Sequence, residues 1–81
     1  MRIKLLYFSS IKDKIKRNSE DLELDKAITI GELKGILKEK YKEIAEILDK
    51  SMFAVNENYV SEDYQLKDGD TVAVIPPVSG G

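Results

Sequence analysis

The 81-residue chain contains no cysteine, no histidine and no tryptophan. Without cysteine and histidine it has no disulfide, no thiolate nucleophile, no imidazole base and none of the usual zinc ligands. Its five glycines form neither a Gly-x-x-x-x-Gly-Lys phosphate loop nor a Gly-x-Gly-x-x-Gly fingerprint. We therefore expect no bound metal or cofactor and no side-chain catalysis of the common kinds.

The chain also has no large excess of charge of one sign, since it contains 13 basic and 15 acidic residues and its net charge is -2. Nothing global favours a nucleic-acid surface. The apolar run near the N-terminus is too short for a signal-peptide core or a membrane span. The composition, 42% hydrophobic and 35% charged, is typical of one small globular domain. We expect a cytoplasmic protein with no membrane contact.

What the sequence does contain is a regular series of short elements. Alternating apolar residues predict strands, and a 3.6-residue period predicts helices. The interpretation is a short helix over residues 10–17, capped by Ser9 or Ser10, a main helix that starts at Thr29, and strands over 2–8, 20–24, 52–55, 59–60 and 71–75. This order predicts an α+β domain over residues 1–75 in which the main helix covers one face of a sheet.

The main helix has the clearest local signals. Thr29 and Glu32 have the spacing of a capping box. Leu33 and Leu37 lie on its apolar stripe, Tyr41 and Ile44 extend that stripe, and Ile47 and Leu48 continue it after a bend or break. Gly35 is unfavourable inside a helix, so we expect it to allow the close approach of a strand.

The opposite face of the sheet has its own apolar residues. By period-two spacing, Leu6 and Phe8 point away from the helix in the first strand, as do Ala73 and Ile75 in the last. If these strands are parallel neighbours, Phe8 and Ile75 lie at the same end of the sheet, next to the tail. This predicts a docking patch; the alternative is that the short helix of residues 10–17 covers it.

The tail, residues 76–81, reads Pro-Pro-Val-Ser-Gly-Gly. Two terminal glycines can enter a narrow slot, because they have no Cβ. The carboxylate of Gly81 is the candidate reactive group; at neutral pH it is ionised and a poor electrophile, since its reference pKa is roughly 3.3 to 3.7. An ATP-using partner has to activate it as an acyl phosphate or acyl adenylate. The alternative is a frayed, inert terminus.

The segment Asp68-Gly69-Asp70-Thr71-Val72-Ala73, together with Pro76-Pro77-Val78-Ser79-Gly80-Gly81, closely resembles the small, sulfur-carrier subunits of molybdopterin synthase. Members of that family are ubiquitin-like β-grasp proteins. The resemblance implies a mixed sheet with one main helix packed on one face, formed by residues 1–75, and an extended tail over residues 76–81. Ile75 departs from the aromatic residue of many members.

The resemblance also implies a chemistry and a set of partners. Gly81 is expected to be adenylated by a ubiquitin-activating-like adenylyltransferase that uses ATP, and then converted to a thiocarboxylate by a sulfur donor. The large synthase subunit accepts the tail, with Gly80 as a thin neighbour, and the sulfur passes to cyclic pyranopterin monophosphate. The chain is then a sulfur-donating subunit without catalytic side chains. The partner contacts implied are Phe8, Ile75, Pro76, Pro77, Val78 and Ser79.

Two other functions fit a Gly-Gly end. One is the related sulfur carrier of thiamine-thiazole synthesis, although the Pro-Pro-Val-Ser approach favours the molybdopterin branch. The other is a ubiquitin-like modifier that joins Gly81 to lysines of target proteins. A β-grasp interaction module with an inert tail is the remaining alternative.

Overall fold

Five strands form one mixed sheet in the order β2-β1-β5-β3-β4 in a computed structural model that describes residues 1–77. The helices follow β1, β2 and a short 3₁₀ turn. The bounds are β1 Arg2–Tyr7, α1 Ser9–Ile15, β2 Ser19–Glu23, α2 Ile30–Lys40, the 3₁₀ turn Lys42–Ile44, α3 Ala45–Lys50, β3 Met52–Val55, β4 Asn58–Val60 and β5 Thr71–Ile75. The predicted α+β architecture is confirmed.

The centre of the sheet is the parallel pair of β1 and β5, in register from Lys4 opposite Thr71 to Tyr7 opposite Val74. The other neighbouring strands are antiparallel. Inward side chains alternate along both central strands as the sequence predicts, and they meet the helices in one core. The core members are Ile3, Leu5, Tyr7, Ile11, Ile28, Ile30, Leu33, Leu37, Ile44, Leu48, Phe53, Val55, Leu66, Val72 and Val74.

The predicted capping box begins α2. The Glu32 amide donates to the Thr29 hydroxyl oxygen at 3.2 Å, and the Thr29 amide donates to the Glu32 carboxylate at 2.9 Å. Two amides that the helix itself leaves without acceptors are satisfied in this way. At the other end, Tyr41 leaves the helical conformation with φ -126°. The break therefore comes before Tyr41 and Ile44, earlier in the chain than the sequence predicts.

The prediction that Gly35 allows a close approach is wrong. A Cβ placed on Gly35 meets no atom within 4 Å. The close approach occurs one turn earlier, where the Gly31 amide donates to the Glu62 carbonyl at 2.8 Å and a Cβ on Gly31 lies 3.3 Å from that oxygen. The neighbour is the loop that follows β4, not a strand.

The prediction that Ser9 or Ser10 caps α1 is also wrong. Phe8 occupies the capping position, with φ -130° and ψ 155°, and no side chain caps the helix. Ser9 is already the first helical residue and has φ 51°. The extended backbone that a capping residue adopts is therefore placed one residue earlier, directly at the end of β1.

A turn at residues 68–70 aligns β5 with β1. Asp68 accepts a hydrogen bond from the Arg2 amide at 2.7 Å, and the Gly69 amide donates to the Arg2 carbonyl at 2.8 Å. Gly69 has φ 87°, which a residue with a Cβ rarely adopts. These bonds confirm that the segment is a turn, and they fix where β5 begins relative to β1.

One buried carboxylate joins β1, β2 and α2. Glu20 Oε1 accepts hydrogen bonds from the hydroxyls of Tyr7 and Tyr41, both at 2.6 Å, and Oε2 accepts one from Lys40 at 2.7 Å. The Glu20 side chain is 7% exposed. Its burial acts to raise its pKa, but the hydrogen bonds from Lys40, Tyr41 and Tyr7 outweigh that effect and hold the pKa below its usual range.

The contact with Glu20 also shifts the pKa values of Tyr7 and Tyr41. Burial, followed by the hydrogen bond to Glu20, raises the pKa of Tyr41 to about 12 and raises that of Tyr7 further. Both hydroxyls therefore remain donors at neutral pH. Within residues 1–77, no helix has the length and apolar character needed to cross a membrane.

Candidate partner-binding site

The face of the sheet opposite the helices, which we call the open face, carries the large apolar side chains that are exposed. Among the described residues these are Phe8, 43% exposed, Met52, 56%, and Tyr59, 63%. Met52 and Tyr59 point the same way, because they are linked by cross-strand partners: Met52 is followed two residues later by Ala54, which pairs with Tyr59. Exposed apolar residues gathered on one face indicate a contact surface.

The tail leaves the sheet at one end of this face. Ile75, the last residue of β5, pairs with Met52. The register of β1 with β5 ends where Tyr7 pairs with Val74, so Phe8 and Ile75 directly follow paired residues at the same end of the sheet. Pro76 is buried against the domain, whereas Pro77 is exposed. The predicted parallel pairing is confirmed, and the chain passes from an apolar cluster directly into the tail.

The short helix does not cover this cluster. Ile11 of α1 is fully buried in the core on the helix side of the sheet. Phe8, at the start of α1, keeps 43% of its surface exposed. The apolar patch is therefore exposed, and the alternative that the short helix covers it is wrong; docking at the patch stays a prediction.

A second row of side chains crosses the same face, two residues before Ile75 along β5. Register places Leu6 of β1 beside Ala73 of β5, Ala73 beside Ala54 of β3, and Ala54 beside Tyr59 of β4. The two alanines are small and lie between larger neighbours. We call the resulting depression the alanine pocket; its volume is about 530 Å³ and it is lined by Leu6, Phe8, Ala54, Asn56, Glu57, Thr71 and Ala73.

The polar end of the alanine pocket is held rigidly. The Asn56 side chain donates to the Asp70 carboxylate at 3.0 Å and accepts from the Thr71 amide at 3.1 Å. Asp70 is buried, at 7% exposed, and also accepts from the Lys67 amide at 2.8 Å. Asn56 and Glu57 both have positive φ, 50° and 74°, as a tight hairpin turn requires. The turn is therefore tied to the start of β5.

The structure brings together the predicted contacts that it describes. Phe8, Ile75, Pro76 and Pro77 lie at one end of the open face. The other predicted residues of the site, Val78, Ser79, Gly80 and Gly81, lie outside the described residues. Met52 and Tyr59 belong to the same surface and were not predicted from the sequence. The antiparallel pairing of β3 with β5 and with β4 is the signal that identifies them.

The open face can bind but offers little chemistry of its own. The side chains of Phe8, Met52 and Ile75 at its apolar end are not titratable, and at the other end charged side chains are exposed, such as Arg2, which pairs with Glu23 at 2.9 Å. No group of three or more aspartates and glutamates in residues 1–77 is arranged to hold a metal ion. An apolar centre beside a polar rim is the usual composition of a protein interface.

Comparison with known proteins agrees with this geometry. The model of the ThiS family matches residues 5–81. The chain belongs to the ThiS family. It is 38% identical to the molybdopterin synthase sulfur carrier subunit of Dictyostelium discoideum, over 99% of this chain and 96% of that protein. The resemblance to the sulfur-carrier subunits is thereby confirmed.

Solved structures place this member of the ThiS family in the β-grasp fold. A Pyrococcus furiosus protein described as molybdopterin converting factor subunit 1 superposes with a TM-score of 0.86, at 31% identity, over 96% of this chain and 99% of that one. A chain from the complex of subunits 1 and 2 of the Helicobacter pylori molybdopterin-converting factor has a TM-score of 0.72, at 29% identity, and both chains are fully covered. The predicted ubiquitin-like β-grasp fold is confirmed.

Proposed function

We propose that this chain is the sulfur-carrying small subunit of a molybdopterin synthase, with the sulfur held on the carboxyl group of Gly81. The observation that carries the proposal is the position of Pro76 and Pro77, where the tail begins. β5 delivers Pro76 and Pro77 at the edge of the apolar cluster of Phe8, Met52 and Ile75. A partner that covers the cluster therefore receives the tail at its own surface.

The chemistry proposed for Gly81 has two activation steps. A carboxylate oxygen of Gly81 attacks the α-phosphorus of ATP in the adenylyltransferase, and pyrophosphate leaves. Hydrosulfide supplied by the donor then adds to the carbonyl carbon, AMP leaves, and loss of the S–H proton gives the thiocarboxylate. The adenylate is necessary because the free carboxylate is a poor electrophile. ATP belongs to the activating partner, and this chain holds no cofactor.

The acceptor of the sulfur is cyclic pyranopterin monophosphate in the active site of the large subunit. The large subunit supplies the side chains that act on the substrate, since this chain has no histidine and no cysteine. A complex of subunits 1 and 2 is known for the Helicobacter pylori molybdopterin-converting factor, whose smaller chain resembles this one, and it supports a partner of this kind. In this chain the large subunit is proposed to contact Phe8, Met52, Tyr59, Ile75 and the tail from Pro76 through Ser79.

The test is the intact mass of the chain after incubation with an adenylyltransferase, ATP and a sulfide source. The expected result is a mass gain equal to the replacement of one oxygen by sulfur at the C-terminus. The modified chain, mixed with the large subunit and cyclic pyranopterin monophosphate, should form the dithiolene product and return to its original mass. A chain that keeps its mass in the first step, or keeps its sulfur in the second, contradicts the proposal.

Two variants locate the chemistry. Deletion of Gly81 should abolish sulfur loading and product formation, and it should leave the melting temperature unchanged because the core lies within residues 3–74. Gly81→Ala keeps the length of the tail and adds one methyl group next to the carboxylate. It should retain the apparent affinity for the large subunit and lose loading efficiency. Normal product formation by the deletion variant contradicts a terminal mechanism.

A further inference from the structure

The residues at the centre of the alanine pocket are unusual for β-strands. Alanine is depleted in strands relative to β-branched and aromatic residues, which pack better on a pleated surface. Here two alanines, Ala54 and Ala73, are direct cross-strand partners in central strands. In the described part of the chain no residue fills the space above them, so the packing of this domain does not explain their size.

Larger residues surround the two alanines of the alanine pocket. Leu6 is the cross-strand neighbour of Ala73, and Phe8 lies on the side of the tail. Thr71 and the turn at Asn56 and Glu57 line the opposite side. Ala54 is 6% exposed, because its larger neighbours shield most of its side chain. The shape is a half-open depression rather than a flat surface.

We propose that the alanine pocket receives one bulky apolar side chain of the large synthase subunit, and that this insertion fixes the distance between the subunits at the root of the tail. The inference rests on the proposed function, because it identifies the pocket as part of the same interface. The pocket shares Phe8 with the cluster at the tail, so that a partner that covers one also covers the other. Its floor and two walls are apolar, which favours an apolar occupant.

A hole and a flat surface respond in opposite ways to added bulk. On a flat apolar surface a larger side chain adds buried area and strengthens binding. In a filled hole it overlaps with the inserted group, and the contact is lost or strained. Ala73→Ile is the deciding substitution, since isoleucine has the higher strand propensity and should not destabilise the free domain.

The experiment measures the affinity of the full chain for the large subunit by titration calorimetry. Ala73→Ile should weaken binding about tenfold or more, the usual consequence of overpacking a well-fitted contact. Ala27→Ile is the matched control, because Ala27 is exposed in the loop between β2 and α2, away from the open face. It should bind like the unmodified chain. Binding by Ala73→Ile that is equal or tighter overturns the proposal.

A second measurement uses the absence of cysteine. Ala73→Cys introduces the only thiol of the chain, and alkylthio groups of increasing length can be attached to it. The affinity should fall step by step as the group lengthens; an affinity that rises with length contradicts the insertion. If the unmodified chain does not bind the large subunit at all, the proposed function fails. If it binds and neither series changes the affinity, only the insertion fails.

Discussion

Glu20→Gln tests the contact that holds α2 to the sheet. In the structure Glu20 Oε1 accepts from Tyr7 and Tyr41 at 2.6 Å, and Oε2 accepts from Lys40 at 2.7 Å and from Arg17 at 3.4 Å. Glutamine keeps the shape and one carbonyl oxygen. Its amide nitrogen, however, is a donor and faces two cationic donors.

The expected magnitude follows from these contacts. A hydrogen bond to a charged acceptor contributes about 1.5–3 kcal/mol and a neutral one about 0.5–1.5, so the two tyrosine bonds each lose about 1 kcal/mol. Lys40 and Arg17 are 43% and 49% exposed, so their bonds together add at most about 1 kcal/mol. A neutral amide is cheaper to bury than a carboxylate, which offsets that addition. The net loss is about 2 kcal/mol, or about 8 to 16 °C in melting temperature for a domain of this size.

The measurement is urea denaturation followed by circular dichroism, with Glu23→Gln as the control. Glu23 lies on the same strand as Glu20, but its side chain is 66% exposed and its partner is Arg2. An exposed pair contributes about 0–1 kcal/mol, so the control should unfold close to the unmodified chain. Equal effects of the two substitutions would refute the assignment of Glu20 as the buried link.

The dependence on pH gives a second test with a fixed sign. The pKa of Glu20 in the folded state lies below its usual range, since the hydrogen bonds outweigh burial. The carboxylate therefore contributes stability above the unfolded pKa, about 4.3, and this contribution is lost as the pH falls through the folded pKa. The difference between the unmodified chain and Glu20→Gln should be constant near neutral pH and shrink in acid. A difference that grows in acid would contradict the direction of the pKa shift.

Two further predictions concern the binding face and the main helix. Phe8→Asp should weaken large-subunit binding at least about tenfold by placing a charge in a desolvated contact, but it should not destabilise the domain, because aspartate is favoured at the capping position that Phe8 occupies. Calorimetry measures the affinity and thermal melting measures the stability, with Phe8→Leu as the apolar control. An unchanged affinity would place the interface elsewhere. Gly35→Ala should stabilise the domain by about 0.5–1 kcal/mol through helix propensity, because its Cβ meets no atom. Gly31→Ala should gain less or lose stability in the same denaturation assay, because its Cβ presses on the Glu62 carbonyl, and an equal gain at both positions would contradict that contact.

Features set by neighbours in the sequence could be predicted. The capping box at Thr29 and the alternation along β1 depend on residues within a few positions of one another. Their physical causes are backbone amides that need acceptors and side chains that point to alternate faces. The sequence places Phe8 and Ile75 at the same end of the sheet only if β1 and β5 are parallel neighbours, and the structure shows that they are.

Features set by contacts between distant parts of the chain could not be predicted from the sequence. Gly35 looked like a site of close approach because glycine is unfavourable in a helix, but only the path of the loop after β4 shows that Gly31 is the crowded residue. Met52 and Tyr59 are isolated apolar residues in the sequence. They become part of a surface only when β3 pairs with both β5 and β4. Strand partnership is non-local, and a pattern within one strand does not specify it.

The topology explains how the apolar cluster and the start of the tail come to lie at the same end of the sheet. Phe8 and Pro77 are far apart in the sequence, yet the parallel pairing of β1 with β5 places the end of the first strand beside the exit of the last. The helices pack on the other face, so the open face is left for a partner. A partner that recognised the tail alone would meet the same two glycines in any Gly-Gly carrier. Under the proposed function, a large subunit that contacts Phe8, Met52 and the alanine pocket together with the tail would distinguish this chain from other carriers before sulfur is transferred.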